Sequence, residues 1–173
     1  CHHEGIDSIH ITGSDATHDA IVWGPANERA ERKQNDTPIL NKPITSELGN
    51  VTPVIIAPGT WSNSDLQFHA ENIASMVTNN ASFNCNAAKL LIMSKNWPQR
   101  EAFLDRIKSV LASRPNRKAY YPGAQDRWQM FVDAHPEAEL LSPSVDQTVP
   151  WTFIGNLDPT KEDEICFLRE PFC

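Results

Sequence analysis

The sequence predicts an α/β fold in which helices flank a mostly parallel β-sheet. Short apolar runs rich in β-branched residues, such as TPVIIAP at 52–58, favour buried strands. Segments with apolar residues at helical spacing lie between these runs, and strands that alternate with helices are typical of a parallel sheet. The 173 residues suffice for one domain with a core, or for parts of two.

The first quarter of the chain predicts a strand, a short helix and a long polar connection. SIHIT at 8–12 alternates apolar and polar residues with a period of two, as strands do. Ser14 is a good helix N-cap and Asp15 suits the positive end of a helix dipole, so a helix is expected up to about Trp23. The segment 24–43 is charged and polar and contains three prolines, which predicts a loop or surface excursion.

The middle of the chain predicts two helices, each preceded by a buried strand. Ser64 and Gln67 match a capping box, so a helix should run from about residue 65 to residue 78. KLLIM at 89–93 predicts the second strand, and Pro98 is expected in the first turn of the next helix. Apolar residues at helical spacing mark the inner faces of the two helices: Leu66, Ala70, Ile73 and Val77 in the first, and Phe103, Leu104, Ile107, Val110 and Leu111 in the second.

The last part of the chain predicts one more helix and two strands. The helix should span about 125–134, with Trp128, Phe131 and Val132 facing inward. The apolar runs VPWTFIG at 149–155 and ICFL at 165–168 are predicted strands.

Composition excludes several classes of partner. The net charge is -7, and Lys and Arg form no patch with interleaved aromatic residues, so a nucleic-acid partner is not expected. No apolar run approaches the roughly 20 residues that span a bilayer, so no membrane association is expected. The four cysteines form no disulfide framework, which favours reduced thiols and a cytoplasmic location. Cys166 and Cys173 are predicted to be packing residues, and the spacing within Cys1–Glu4 matches no zinc pattern, so no metal site is predicted.

For Cys85 the sequence leaves two roles open. This residue lies between two asparagines, after a polar, turn-prone run and before the strand-like KLLIM. A cysteine in such a place is either a small buried packing residue or a reactive thiol on a loop. In the second case, backbone N–H groups of the loop could support a thiolate and a developing oxyanion.

Four segments together resemble the aldehyde dehydrogenase superfamily, and the resemblance covers essentially the whole chain. They are ITGS at 11–14, SELGN at 46–50, the Cys85 loop and REPF at 169–172. The resemblance implies a catalytic thiol at Cys85 and a general base at Glu47. It also implies that the nicotinamide cofactor, NAD or NADP, is bound by Gly13, Ser14, Leu48, Glu170 and Phe172, with Glu170 at the nicotinamide ribose and Phe172 near the ring.

The chain departs from the family pattern at several positions. His18 and Ser82 stand where the family has glycines, the run after the glutamate differs from Asn50 to Thr52, and the segment between Ser14 and Glu47 is longer than usual. Asn80 matches the family asparagine that precedes the cysteine. The chain therefore resembles a divergent member.

The resemblance implies an enzyme that oxidises a small-molecule aldehyde to a carboxylic acid through a thiohemiacetal and a thioester on Cys85. Two alternatives remain open: an acylating relative that passes the thioester to coenzyme A, and a catalytically silent scaffold or binding module. Residues 1–49 are expected to be the remnant of a dinucleotide-binding domain, and residues 50–173 part of the catalytic domain. The chain begins at Cys1 and not at a methionine, and it ends at Cys173 with no polar tail, so we expect a segment of a longer protein. The resemblance implies a fold incomplete at both ends, a segment inactive alone, and a parent protein that forms a homo-oligomer.

Overall fold

The structure is a computed structural model that describes residues 1–172. The chain divides into two compact units, Cys1–Gly49 and Asn50–Cys173, and each is described by itself. Strands and helices alternate along much of the chain, and two of the three strand pairs are parallel. The prediction of an α/β fold with mostly parallel strands is therefore confirmed, although the strands form three separate pairs. None of the described helices has the length and apolar character needed to cross a membrane.

The first unit is built on one parallel pair of strands. Strand β1 (Ile9–Thr12) lies beside β2 (Ile44–Glu47), with Ile9 opposite Ile44 and Thr12 opposite Glu47. Helix α1 (Asp15–Trp23) follows β1 after a sharp turn, and a short helix α2 (Arg29–Gln34) precedes β2. Six residues of the predicted loop or surface excursion over 24–43 are thus helical, because Pro25 and Pro38 lie outside α2, and none of the α2 residues is buried.

The second unit begins with a parallel strand pair. Strand β3 and strand β4 are separated along the chain by a long helix and a single 3₁₀ turn, and Val54 of β3 lies opposite Leu91 of β4. Two more helices follow β4, and after them come an antiparallel strand pair and a four-residue helix. The bounds are β3 (Thr52–Ile56), α3 (Asn63–Thr78), the 3₁₀ turn (Asn79–Ser82), β4 (Ala88–Met93), α4 (Arg100–Ser113), α5 (Ala124–Ala134), β5 (Glu139–Leu140), β6 (Thr152–Phe153) and α6 (Ile165–Leu168).

The main core of the second unit lies where α3 and α4 meet the β3–β4 pair. Its buried members come from the predicted inner faces of the two helices, together with Ala74 and Trp97, which were not predicted. Val77 and Val110 are only partly buried and pack against its margin. A second cluster joins α5 to the end of the chain through Trp128, Val149 and Phe172. Apolar burial of this kind is the main favourable term that holds such a unit together.

Several local predictions were wrong. The N-cap of α3 is Ser62, which forms a capping box with Asp65, so the helix starts two residues before the predicted one. Pro98 precedes α4 instead of lying within its first turn. The β3 strand is not fully buried, since Ile55 is 74% exposed.

The two predicted strands near the end of the chain also differ from the structure. Only Thr152–Phe153 of the first run is a strand. The second run, ICFL, is helix α6, because the Glu164 side chain accepts a hydrogen bond from the Cys166 backbone N–H and caps a helical turn. Cys166 is buried, as predicted for a packing residue, whereas Cys173 lies outside the described residues.

Candidate functional site

Cys85 is an exposed residue on the turn between the 3₁₀ turn and β4. Its backbone carbonyl accepts a hydrogen bond of 2.8 Å from Thr52 Oγ1 at the start of β3. Within the turn, the Ala87 N–H donates to the Asn84 carbonyl at 2.9 Å. The backbone of the turn is therefore fixed against the strand pair while the thiol is left in solvent. That placement disagrees with a buried packing role for Cys85.

The chain enters this turn through three consecutive left-handed residues. Asn80, Ala81 and Ser82 have φ angles of 49°, 55° and 66°. This conformation costs a non-glycine residue about 1–2 kcal/mol, with asparagine the best tolerated of the three. Lys89 anchors the last of them, since its ammonium donates to the Ser82 hydroxyl at 2.7 Å and also to the Ser82 carbonyl.

Asparagine side chains hold the two sides of the turn together. Asn84 donates to Asn79 Oδ1 at 2.6 Å and accepts from Asn80 Nδ2 at 2.9 Å. The Tyr120 hydroxyl also donates to Asn80 Oδ1 at 2.9 Å. Asn79, Asn80 and Asn84, which all precede the cysteine, thus act as a scaffold that keeps the strained backbone in one conformation.

The predicted cofactor residues of the first unit meet where β1 and β2 end. The Gly13 N–H donates to the Glu47 carbonyl at 3.0 Å, which continues the strand pairing by one residue. Ser14 is the N-cap of α1, as predicted, and its hydroxyl accepts from the Thr17 N–H at 3.2 Å. Because carboxyl ends of parallel strands lie on one edge, the structure brings Gly13, Ser14 and Glu47 together. Leu48 follows directly and is partly buried.

The Glu47 side chain is exposed. The described residues therefore do not enclose its carboxylate in a dry pocket. Its backbone is held by β2, so the position of the residue is defined even though the carboxylate is free to change rotamer.

Glu170 is held at the surface of the second unit by Arg127. The guanidinium donates to the Glu170 carbonyl at 3.1 Å and lies 3.9 Å from the carboxylate oxygen Oε2. The other oxygen, Oε1, is buried and has no hydrogen-bond partner among residues 1–172. A buried acceptor without a donor is costly, by about 1–3 kcal/mol, and ribose hydroxyls are donors of the kind it lacks.

Phe172 is 3% exposed and lies in an aromatic cluster. Its ring centre is 4.9 Å from that of Phe83 and 5.2 Å from that of Tyr121, and Arg127 covers it at 4.5 Å. Phe83 lies two residues before Cys85, so this contact joins the end of the chain to the cysteine turn. The structure thus brings Phe172 and Cys85 into one region, but with the Phe172 ring inside the protein.

A cavity of about 860 Å³ lies elsewhere in the second unit. It is bounded by β4, by the core face of α4 and by the segment 152–157, and its lining is mostly apolar. Cys85 is not among the described residues that line it. The cavity lies beside the core, along the edge of β4 that does not pair with β3. It is separate from the exposed Cys85 thiol.

A cluster of titratable side chains was missed by sequence reasoning. His135, at the C-terminal end of α5, lies between Glu137 and Glu164, with ring nitrogen to carboxylate distances of 3.0 and 2.9 Å. Burial alone would lower the pKa of His135, but the hydrogen bonds to Glu137 and Glu164 outweigh it and raise the pKa above its ordinary value. Burial opposes ionisation of Glu164, yet hydrogen bonds from the Cys166 N–H and from His135 lower the pKa of Glu164.

No family model matches the chain, and no curated protein matches it in sequence. Solved structures do match its fold. One is an NADP-dependent glyceraldehyde-3-phosphate dehydrogenase from Bacillus halodurans C-125 in complex with NADP, at 20% identity and a TM-score of 0.68, over 98% of this chain and 34% of that one. Another is a putative aldehyde dehydrogenase from Burkholderia cenocepacia, at 18% identity and a TM-score of 0.66, over 98% and 35%.

A third match is an NAD-dependent aldehyde dehydrogenase from Sinorhizobium meliloti, at 18% identity and a TM-score of 0.57, over 86% of this chain and 29% of that one. The chain thus spans about a third of the length of the structures it matches. At these identities the likeness concerns the fold. Over nearly its whole length, the chain has the fold of the corresponding part of an aldehyde dehydrogenase.

Proposed function

We propose that the whole protein oxidises an aldehyde to a carboxylic acid with NAD or NADP, and that Cys85 is its nucleophile. The observation that carries the proposal is the exposed thiol of Cys85 on a strained turn fixed by hydrogen bonds from Thr52, Lys89 and the asparagines. Backbone strain persists only where surrounding contacts impose it, and it concentrates at functional sites. The shared fold with aldehyde dehydrogenases is the second line of support.

Cys85 performs the first step in this proposal. Its sulfur, as the thiolate, attacks the aldehyde carbon, and the carbonyl oxygen becomes the oxyanion of a thiohemiacetal. A nicotinamide supplies the acceptor for the hydride that leaves this carbon. The acyl group then remains on Cys85 as a thioester.

Glu47 is proposed as the general base of the second step. It takes a proton from water as the water oxygen attacks the thioester carbon, and the Cys85 thiolate leaves. The carboxylic acid product and the reduced cofactor are released, Glu47 gives its proton to solvent, and the enzyme returns to its starting state. Enclosure of Glu47 from bulk water is required for this role near neutral pH, and we expect the rest of the protein to supply it.

The described residues fit a dinucleotide in two places. The unpaired Glu170 Oε1 is an acceptor suited to a ribose hydroxyl. A Cβ at Gly13 would meet only the Ile11 side chain, at 3.8 Å or more, so the protein's own packing does not require glycine there. A cofactor that approaches the backbone closely would require it. Ser14 and Leu48 lie beside Gly13 and Glu47 in the first unit, where they would flank a cofactor bound at Gly13.

The proposal is tested by reduced-cofactor absorbance with a panel of aldehydes and the full-length protein. Cys85→Ser should lower turnover by at least about a thousandfold, because the nucleophile is lost. Cys1→Ser is the matched control, since Cys1 is also exposed, and it should leave turnover unchanged. Full activity of Cys85→Ser would show that the mechanism is wrong.

Glu47→Gln separates hydrolysis from the first step. This variant should release about one equivalent of reduced cofactor per site and then stop, because the thioester accumulates. If the wild-type enzyme instead needs coenzyme A for turnover, the acylating alternative is correct. If no aldehyde is oxidised and the Cys85 thiol reacts with maleimide at the same rate with and without cofactor, the protein is a silent scaffold. We further propose a cytoplasmic homo-oligomer.

A further inference from the structure

A second group of functional side chains lies in the second unit, away from the Cys85 turn. Cys166, His135 and Glu164 each present one donor atom, and the three atoms lie within 4.8 Å of one another. His135 Nε2 is 2.9 Å from Glu164 Oε1 and 3.7 Å from Cys166 Sγ. The proposed dehydrogenase chemistry uses none of these residues.

The spacing of these atoms suits a small tetrahedral cation. Zinc bonds sulfur at about 2.3 Å and nitrogen or oxygen at about 2.0–2.2 Å, which places neighbouring ligand atoms about 3.3–3.6 Å apart. The nitrogen–sulfur distance of 3.7 Å agrees with that spacing. The nitrogen–oxygen distance of 2.9 Å is a hydrogen bond that would open by a few tenths of an ångström when a metal replaced the shared proton.

The Glu137 carboxylate, behind the His135 imidazole, independently supports a metal site. Glu137 Oε1 lies 3.0 Å from His135 Nδ1, on the far side of the ring from Glu164 and Cys166. Metal-bound histidines almost always donate their other N–H to a carboxylate or carbonyl, because this fixes the tautomer and makes the ligating nitrogen more basic. Here the Nδ1–H would donate to Glu137 and leave the Nε2 lone pair for the metal.

Burial and local structure fix the three donors in place. The side chains of His135 and Glu164 are 12% and 7% exposed, and Cys166 is buried. The Cys166 N–H also donates to Glu164 Oε1 at 3.1 Å, so the first turn of α6 orients the carboxylate. Preformed, largely buried donors lose little conformational entropy when a ligand binds.

An ion pair between His135 and Glu164 is the competing explanation. It accounts for the short nitrogen–oxygen distance, and a hydrogen bond from the Cys166 thiol to Glu164 keeps the sulfur beside the same ring nitrogen. A borderline-soft metal fits all three donors at once, because thiolate, imidazole and carboxylate are the three ligand types that zinc takes in proteins.

We propose that Cys166, His135 and Glu164 bind one Zn²⁺ or a similar divalent transition metal. The thiol proton of Cys166 and any proton on His135 Nε2 leave as the metal binds, so that thiolate, neutral imidazole and carboxylate ligate it. A three-ligand site keeps a fourth position for water or a small anion. The site is independent of Cys85 and would serve structure or a second, separate reaction.

The test is a Co²⁺ titration of the full-length protein carrying Cys1→Ser, Cys85→Ser and Cys173→Ser, in which Cys166 is the remaining thiol of these 173 residues. Binding at the site should give a near-ultraviolet thiolate-to-cobalt band and intense visible bands of tetrahedral Co²⁺, and Zn²⁺ should displace both. Adding Cys166→Ser should abolish the near-ultraviolet band. If the parent variant shows no such band at millimolar Co²⁺, the proposal is overturned.

Two further measurements keep the test independent of folding defects. Zn²⁺ at a hundred times its dissociation constant should raise the Tm of the folded parent variant by about 5 °C or more, and a simple ion pair predicts no such rise. Glu137→Gln should weaken Co²⁺ binding about 10- to 100-fold while the spectrum of the saturated site is retained. An unchanged Tm with Zn²⁺, or an unchanged affinity in Glu137→Gln, would count against the site as described.

Discussion

Replacing Phe103 tests the packing that positions the cysteine turn. Phe103 lies on α4 and is 0% exposed, at the centre of the core between the helices and the β3–β4 pair. Its ring meets those of Trp61 and Trp97 edge-on, with centroid distances of 5.2 and 5.6 Å. Thr52 of β3, which holds the Cys85 carbonyl, and Lys89 of β4, which holds Ser82, both depend on the strand pair that this core supports.

The expected loss of stability follows from these contacts. Truncation of a buried phenylalanine to alanine costs about 3–5 kcal/mol, and each edge-on aromatic contact adds about 0.5–1.5 kcal/mol beyond burial. Phe103→Ala should therefore lower the free energy of unfolding by about 4–5 kcal/mol, near the upper end of that range. This is a large share of the roughly 5–15 kcal/mol that keeps a domain folded.

The assay is urea unfolding followed by tryptophan fluorescence, to which the neighbouring Trp61 and Trp97 contribute. Phe68→Ala is the matched control, because Phe68 lies on α3 but is 62% exposed, and it should cost less than about 0.5 kcal/mol. If Phe103→Ala does not fold, Phe103→Leu should still fold with a smaller loss. A cost below about 2 kcal/mol for Phe103→Ala would refute the assignment of this residue to a tightly packed core.

Two further predictions concern local contacts. Ser62→Ala should lower the free energy of unfolding by about 1 kcal/mol, because the cap of α3 is lost. Ser64→Ala is the control and should cost less. Equal effects of the two changes in urea unfolding would contradict the observed cap. With chelator present, the contribution of the His135–Glu164 pair should be greatest between about pH 4.5 and pH 6.5. It should be lost as the pH rises through the raised pKa of His135, and also as the pH falls through the lowered pKa of Glu164. Glu164→Gln should flatten that profile in unfolding curves measured across this range.

Most of the helices could be predicted from the sequence because each carries several agreeing signals. Helix α1 has the Ser14 cap and helix α5 has a regular apolar face, and both were predicted to within one residue. The start of α3 was misplaced because SNSD offers two serines, each three residues before a suitable partner, and only tertiary structure selects Ser62. The run ICFL was misjudged because a four-residue apolar stretch has no period that separates strand from helix.

The two candidate sites also differ in how far the sequence predicts them. Cys85 could be singled out because the asparagines that hold its turn, Asn79, Asn80 and Asn84, also lie beside it in the sequence. The cluster of His135, Glu164 and Cys166 could not, because α5 and α6 are brought together by packing and no short motif links their residues. The local sequence offers only two acidic residues as a signal: Glu137, two residues after His135, and Glu164, two residues before Cys166. Acidic residues at such spacing are common in surface segments.

Ser82 shows how a departure from a family pattern can be compensated locally. A glycine at this position would adopt the left-handed conformation without cost, whereas serine bears strain at a φ of 66°. The serine hydroxyl, however, gives Lys89 a second acceptor beside the Ser82 carbonyl, and a hydrogen bond to a charged donor contributes about 1.5–3 kcal/mol. That gain matches the cost of the left-handed backbone. The turn before Cys85 is therefore held by side-chain contacts, so the serine at position 82 is compatible with the proposed role of Cys85.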